Sequence, residues 1–87
     1  MNYLNVKIIT PRKVLLTERV KSISSKNSLG RFDILPYHAN FITITEHSPI
    51  LLTGMDDKVL SFNFPLAIIY TKANQVNIYT EIQLPQI

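Results

Sequence analysis

The chain has 87 residues, no cysteine and a net charge of +3, from nine Lys and Arg against six Asp and Glu. This length supports one small domain, and the lack of cysteine excludes a disulfide framework, a thiolate metal site and a thiol nucleophile. The basic residues are scattered, which argues against a nucleic-acid-binding face. No apolar run approaches the ~20 residues that span a bilayer, and no signal-peptide pattern is present, so a soluble, cytoplasmic chain is expected.

Alternating apolar and polar residues predict the first strand over 3–8, with one face toward a core. Pro11 interrupts this pattern, because proline has no backbone N–H to give to the next ladder bond. Two further extended segments are expected over 14–17 and 18–25. The polar residues of 24–28 predict a surface loop.

The segment 18–25 contains an irregularity. Val20 and Ile23 differ in parity and cannot both face the core on a regular strand. A β-bulge between them would add one unpaired residue and turn both side chains inward. We therefore expect a bulge at this point.

The stretch 29–40 has the most informative residue order. Phe32 and Ile34 alternate with charged residues as in a half-buried strand, and Pro36 ends that strand. The following turn places Tyr37 and His38 on an exposed loop. Recognition residues often occupy loops that a rigid scaffold holds in place.

Short extended runs continue toward the C-terminus, separated by turns that contain Pro, Gly and Asn. The runs over 50–53 and 58–64 predict a hairpin. Apolar residues on both parities over 66–71 predict a strand that is buried on both faces. In the turn that follows, Asn74 is expected to take a positive φ. Strands are also predicted over 41–45 and 76–82.

These patterns indicate an all-β fold. No window of ten or more residues has a helical period, whereas short strands and turns alternate throughout. We predict one domain over residues 1–87, a flattened two-sheet β-sandwich or barrel of about eight to ten short strands. Two sheets packed face to face should bury Leu, Ile, Val and Phe and leave Lys, Thr and Asn outside.

The sequence offers little catalytic or metal-binding chemistry. His38 and His47 lie in loops without the convergent ligands of a zinc site or the nucleophile of a hydrolytic dyad. The acids of 56–57 fit a hairpin turn better than a calcium site, which needs six or more oxygen ligands. We expect a binding module with no metal or cofactor rather than an enzyme.

Three segments carry a family resemblance: Val-Lys-Ile-Ile-Thr-Pro-Arg-Lys-Val over 6–14, Val-Lys-Ser-Ile over 20–23 and Leu-Gly-Arg-Phe-Asp-Ile-Leu-Pro-Tyr-His-Ala over 29–39. In order, spacing and register they resemble the N-terminal β-sandwich of the epsilon subunit of F-type ATP synthases. That family typically has Gly-x-Phe-Gly-Val-Leu-Pro-Gly-His-Ala-Pro in the third segment. Asp33 and Tyr37 stand at its usual glycines, and Asn40 stands at its proline.

The resemblance implies a non-catalytic subunit of the central stalk, the rotor, which couples proton translocation to ATP synthesis. It would bind the gamma subunit and the c ring, reach the alpha and beta head indirectly, and lie peripherally on the cytoplasmic face of the energy-transducing membrane. Arg31 stands where an acidic residue is common, so if the c-ring contact is an ion pair, either its sign is reversed or its partner differs. The implied gamma contacts are Thr10, His38, Ala39 and Thr43, and the implied c-ring contacts are Ser28, Gly30 and Arg31.

The family usually continues into a two-helix hairpin that restrains ATP hydrolysis. No helical pattern follows Thr80, and the sequence ends at Ile87. If the chain is complete, we expect a subunit that assembles and couples without the self-inhibition attributed to the helices.

Two alternatives belong to other functional classes. A free-standing basic β-barrel could bind single-stranded nucleic acid by stacking bases on Tyr3, Tyr70 and Tyr79, although these residues are not expected to group on one strand pair with Arg and Lys. An enzyme would need a nucleophile and base that the sequence does not reveal. For each assigned contact, the plain alternative is a solvated loop residue.

Overall fold

The computed structural model describes residues 2–81, and in this range it contains eight β-strands and no helix. No helix in this range could therefore cross a membrane. The all-β prediction is confirmed. The strands are β1 (Leu4–Ile9), β2 (Val14–Asn27), β3 (Gly30–Ile34), β4 (Phe41–Glu46), β5 (Pro49–Gly54), β6 (Val59–Asn63), β7 (Leu66–Lys72) and β8 (Gln75–Thr80).

The strands form one curled sheet in the order β4-β7-β8-β1-β2-β5-β6, with β3 also paired to β2. The first half of β2 pairs with β1, and its second half pairs with β3 and β5. One long strand thus belongs to both layers of the sandwich. We call β4-β7-β8-β1 with the first half of β2 the first layer, and β3, β5 and β6 with the second half of β2 the second layer.

The core lies between the two layers and is almost entirely aliphatic. Alternate residues of β1, β7 and β8 meet residues of β2, β3 and β5, and half-buried aromatic rings close the margins. This burial supplies the main stabilisation of so small a domain. The buried core residues are Leu4, Val6, Ile8, Val20, Ile23, Ile34, Ile50, Leu52, Ala67, Ile69, Val76 and Ile78.

The region 14–28 differs from the expectation of two strands and a loop. A single strand, β2, continues to Asn27, and residues 23–27 pair with β3. Ser25 is buried, and its hydroxyl donates to the carbonyl of Pro49 at 3.0 Å. Cross-strand pairing therefore makes a strand of residues whose local composition favours a loop.

The expected bulge in β2 is confirmed. The register between β2 and β5 shifts between Val20 and Ser22. Val20 and Ile23 are consequently both buried despite their different parity. The same shift bends the strand from one layer into the other.

Strand β7 is buried on one face, so the prediction of burial on both faces is wrong. Ala67, Ile69 and Thr71 point into the core, whereas Ile68 and Tyr70 lie on the outer side. The prediction that threonines lie outside also fails in this layer. Thr10, Thr45, Thr71 and Thr80 are all buried.

Several turns use left-handed backbone. The turn between β7 and β8 has positive φ at both Ala73 (49°) and Asn74 (62°), which confirms the expectation for Asn74. Tyr37 has φ 67°, a conformation that favours glycine. The predicted hairpin of β5 and β6 is confirmed. Ile82, at the end of the last predicted strand, lies outside the described residues.

Candidate functional site

The outer side of the first layer exposes a contiguous apolar surface. We call it the outer apolar face, and it consists of Ile42 and Ile44 on β4, Ile68 and Tyr70 on β7, and Tyr79 on β8. Ile44 lies opposite Ile68, which lies opposite Tyr79, and Ile42 lies opposite Tyr70. Ile42 is 65% exposed and Ile44 is 52% exposed. Monomeric soluble proteins rarely leave such a patch uncovered, so this surface is a candidate for protein docking.

The loop before β4 carries two of the assigned residues at one end of this layer. His38 is half-buried and Ala39 is exposed. The loop is held at Tyr37, whose backbone N–H donates to the side-chain oxygen of Asn74 at 2.6 Å. The confirmed exposed loop is thus fixed to the β7–β8 turn.

The His38 ring has defined contacts. It packs edge-to-face on Phe41 at 5.4 Å between ring centroids, and Phe41 packs in the same way on Phe32 at 5.5 Å. His38 Nδ1 lies 2.7 Å from the carbonyl oxygen of Ala39. Because a carbonyl oxygen only accepts, Nδ1 carries the proton, and the Nε2 of the neutral ring is an acceptor that a partner could use.

Thr43 lies on β4 but points away from the outer apolar face. Its hydroxyl oxygen accepts a hydrogen bond from the side-chain amide of Asn27 at 3.0 Å. This bond ties the β2–β3 hairpin to β4. Ser28 consequently lines one open groove with Thr43 and Ile44.

The β2–β3 hairpin ends in a two-residue tip, Ser28 and Leu29, closed by the pairing of Asn27 with Gly30. The Leu29 N–H donates to the side-chain oxygen of Asn27 at 2.9 Å. Gly30 has φ 125°, which only glycine adopts easily, and Arg31 follows as an exposed side chain. Three assigned residues are therefore grouped at one projecting tip.

Thr10 lies apart from the other assigned residues. It directly follows β1, and β1 is separated from β4 by β8 and β7 in the first layer. Its hydroxyl donates to the Lys13 carbonyl at 3.1 Å and accepts from the backbone N–H groups of Arg12 and Lys13. With 7% of the residue exposed, Thr10 chiefly organises the turn of 10–13.

A family model for the β-sandwich domain of the ATP synthase delta/epsilon chain matches residues 3–85. The chain belongs to this family. It is 37% identical over 78 residues to the ATP synthase epsilon chain of Clostridium botulinum (strain Eklund 17B / Type B). That alignment covers 87% of this chain and 57% of the relative. Over 40 residues it is 48% identical to the epsilon chain of Geotalea daltonii, covering 46% of this chain and 29% of the relative.

Solved ATP synthases contain the same fold. The similarity to a chain in the Euglena gracilis mitochondrial ATP synthase structure of OSCP, F1 and c-ring has a TM-score of 0.86 at 14% identity, covering 98% of this chain and 54% of that chain. A chain of the Tetrahymena thermophila mitochondrial central stalk and c-ring gives a TM-score of 0.68 at 18% identity, with coverages of 88% and 62%. The chain thus spans just over half the length of these relatives.

Sequence reasoning missed two features of the site. On β4, Ile42 and Ile44 share one parity and face outward, whereas threonines share the other parity and face inward. A rule that buries the more hydrophobic residues predicts the opposite orientation for this strand. Leu29 is 95% exposed at the hairpin tip, and neither the residue pattern nor the family resemblance indicates a contact for it. In the sequence, the sign of this exposure is a large aliphatic residue that follows two turn-forming residues and precedes a glycine.

Two of the three candidate tyrosines lie on one strand pair. Tyr70 and Tyr79 belong to neighbouring strands of the outer apolar face, whose five residues include no Arg or Lys. The residues directly opposite these two tyrosines on β4 and β7 are isoleucines rather than cations. The ring of Tyr3 is already covered by the Arg19 guanidinium, 4.8 Å from its centroid. This arrangement suits protein docking better than base stacking. Across residues 2–81, no three His, Asp or Glu side chains converge as a metal site would require.

Proposed function

We propose that this chain is a non-catalytic subunit of the central stalk of an F-type ATP synthase, which binds the gamma subunit and the c ring and couples proton translocation to ATP synthesis. The observation that carries the proposal is the outer apolar face in a chain of the delta/epsilon family. A rotor subunit that passes torque needs firm attachment to its neighbours. A broad apolar surface supplies such attachment through burial.

The gamma subunit is proposed to dock on β4 and the loop before it. His38 would offer Nε2 as an acceptor, Ala39 is exposed beside it, and Thr43 lies along the same strand. The outer apolar face would supply most of the buried area. Thr10 would contribute through the shape of the turn that it organises rather than through a direct contact.

The c ring is proposed to meet the tip of the β2–β3 hairpin, through Ser28, Gly30 and Arg31. The tip projects from the sandwich and is tied to β4 by Asn27, so a force applied at the tip would reach the gamma-binding strand. These contacts would hold the subunit on the cytoplasmic face of the energy-transducing membrane as a peripheral component. The alpha and beta head would be reached only through gamma.

The test uses detergent-solubilised ATP synthase from the source of this chain, depleted of its own epsilon subunit. Tagged chain is added, and the retained subunits are identified by mass spectrometry. We expect gamma and the c ring to be retained, and ATP-driven proton pumping in reconstituted vesicles to recover. Retention of neither subunit by a preparation that contains intact rotor would contradict the proposal.

A further inference from the structure

We propose that the tip of the β2–β3 hairpin recognises an acidic protein loop with an apolar notch, with Leu29 entering the notch and Lys26 and Arg31 pairing with the acids. This rests on the proposed function and names the chemistry of the c-ring surface that the tip would meet. The apolar part of this recognition is inferred from the exposure of Leu29, and the charged part from the positions of Lys26 and Arg31.

Leu29 is 95% exposed and is the most exposed large apolar residue in the part of the chain that the structure describes. Its side chain gains nothing from the domain itself. The tip is nevertheless well ordered by hydrogen bonds, because Asn27 accepts from the Leu29 N–H and donates to Thr43. An exposed apolar side chain on a backbone held by hydrogen bonds is suited to enter a pocket on a partner, since little backbone freedom remains to be lost on binding.

Lys26 and Arg31 lie directly opposite each other on β2 and β3. Both side chains are exposed, and within residues 2–81 neither takes part in an ion pair. Asp33, the nearest acid on β3, accepts a hydrogen bond from the Ser24 hydroxyl at 2.6 Å. Like charges that face each other across a strand pair destabilise a hairpin. Acids on a partner would turn this unfavourable pair into a favourable contact.

The chemistry fits a protein loop better than a lipid surface. Stable attachment to a membrane takes two anchoring signals, and recognition of anionic lipid takes clusters of about four to eight cations. The tip has one leucine and two cations. On a protein surface, two charges and one central apolar anchor are enough to determine register and specificity.

The experiment measures two properties of Arg31→Glu and Lys26→Glu. The first is the thermal midpoint of the isolated chain. Each substitution replaces a repelling pair by an attracting one, so the midpoint should rise by about 1–5 °C. The second is affinity for the solubilised rotor, gamma with c ring, from the same source. Affinity should fall about tenfold at low salt, and the loss should shrink as salt rises.

Leu29→Ala separates the apolar contribution. It should also weaken rotor binding about tenfold, leave the thermal midpoint unchanged and leave the salt dependence of binding as in the wild type. Lys58→Glu is the matched control, because it makes the same charge change at an exposed turn between β5 and β6. It should bind the rotor like the wild type.

The outcomes distinguish this inference from the proposed function. A wild-type chain that the rotor does not retain overturns both. If the rotor retains Arg31→Glu and Leu29→Ala as tightly as the wild type, only the inference is overturned, and the subunit assignment stands. Flotation of the wild type, but not Leu29→Ala, with protein-free phosphatidylserine vesicles would overturn the acidic loop in favour of a lipid surface. A higher midpoint together with weaker binding would support the inference, since a poorly folded variant cannot give that combination.

Discussion

The outer apolar face and the β2–β3 tip are both exposed surfaces, but they are built in opposite ways. The face is broad, spans the edge strand β4 and its neighbours β7 and β8 in the first layer, and carries no charge among its five residues. The tip is small, projects from the second layer and places two cations beside one leucine. A broad apolar surface gives affinity through burial, whereas a small charged one determines register and partner choice. The first is suited to a permanent neighbour, and the second to a contact that must be correctly aligned.

Asn27 joins the two regions. Its amide donates to Thr43 on β4, and its side-chain oxygen accepts from the Leu29 N–H at the tip. One residue therefore fixes the position of the charged tip relative to the apolar face. Substitutions in each region can therefore separate what the face and the tip contribute to binding and to stability.

Ile44→Lys should remove most of the affinity that the apolar face provides. Ile44 is the exposed β4 end of the row that joins β4 to β8, and a buried interfacial apolar residue can contribute about 2 kcal/mol or more, roughly 30-fold in affinity. Stability should change by less than about 1 kcal/mol because the side chain is exposed. The measurement is retention by the solubilised rotor, beside urea unfolding of the free chain.

Ser61→Lys is the control for Ile44→Lys, since Ser61 is an exposed strand residue of β6 in the other layer. It should bind like the wild type. Equal retention of the two variants would show that the apolar face is not the docking surface.

Gly30→Ala should destabilise the folded tip itself rather than remove a contact with a partner. A Cβ at this position would meet no atom within 4 Å, so the effect comes from φ 125° alone. Strain of this kind contributes about 1–3 kcal/mol. Urea unfolding should show a lower free energy of unfolding. Leu29→Ala is the comparison at the same tip and should leave that free energy unchanged. A Gly30→Ala chain of wild-type stability would mean that the tip relaxes into another turn.

Thr45→Val should stabilise the layer behind the apolar face. The Thr45 hydroxyl is buried without a hydrogen-bond partner within the described part of the chain, as is that of Thr71. Removing a buried, unsatisfied hydroxyl while keeping the branched shape should raise the free energy of unfolding by about 1 kcal/mol. Thr71→Val should act in the same way. Thr80→Val is the comparison. The Thr80 hydroxyl has a hydrogen-bond partner, the Leu66 carbonyl at 3.5 Å, so this variant should gain less stability.

His38→Ala should have the smallest effect on folding, a loss of about 0.5–1 kcal/mol through the edge-to-face contact with Phe41. His38→Phe keeps a ring at that position and should retain stability. If Nε2 accepts a bond from gamma, both variants weaken rotor binding equally. Full binding by His38→Phe would show that only the ring shape matters.

Much of the fold followed from alternation and turn residues. The core face of β1, the end of β3 before Pro36, the bulge after Val20 and the positive φ of Asn74 were all predicted. Each depends on local parity or on backbone chemistry that one residue dictates. The family motif around Leu-Pro-Tyr-His-Ala is likewise a property of residue order.

Other features depend on pairing between distant segments. The polar residues 24–27 became a strand because β3 folds back on them, and β7 has an exposed face because nothing within residues 2–81 covers it. The orientation of β4, with isoleucines outward and threonines inward, is invisible to a hydrophobicity rule that assumes burial of every isoleucine.

Residue order is enough to indicate an all-β domain, most of its turns and its membership of the delta/epsilon family, because these depend on local pattern and motif. Which apolar residues face water, and which polar residues meet at the tip, depends on how distant strands pair. Lys26 and Arg31 come together only through the β2–β3 register, and Thr43 meets Asn27 only because β2 crosses between the layers. Burial and electrostatics act between residues that are neighbours in space, and in this sheet the neighbours come from different strands.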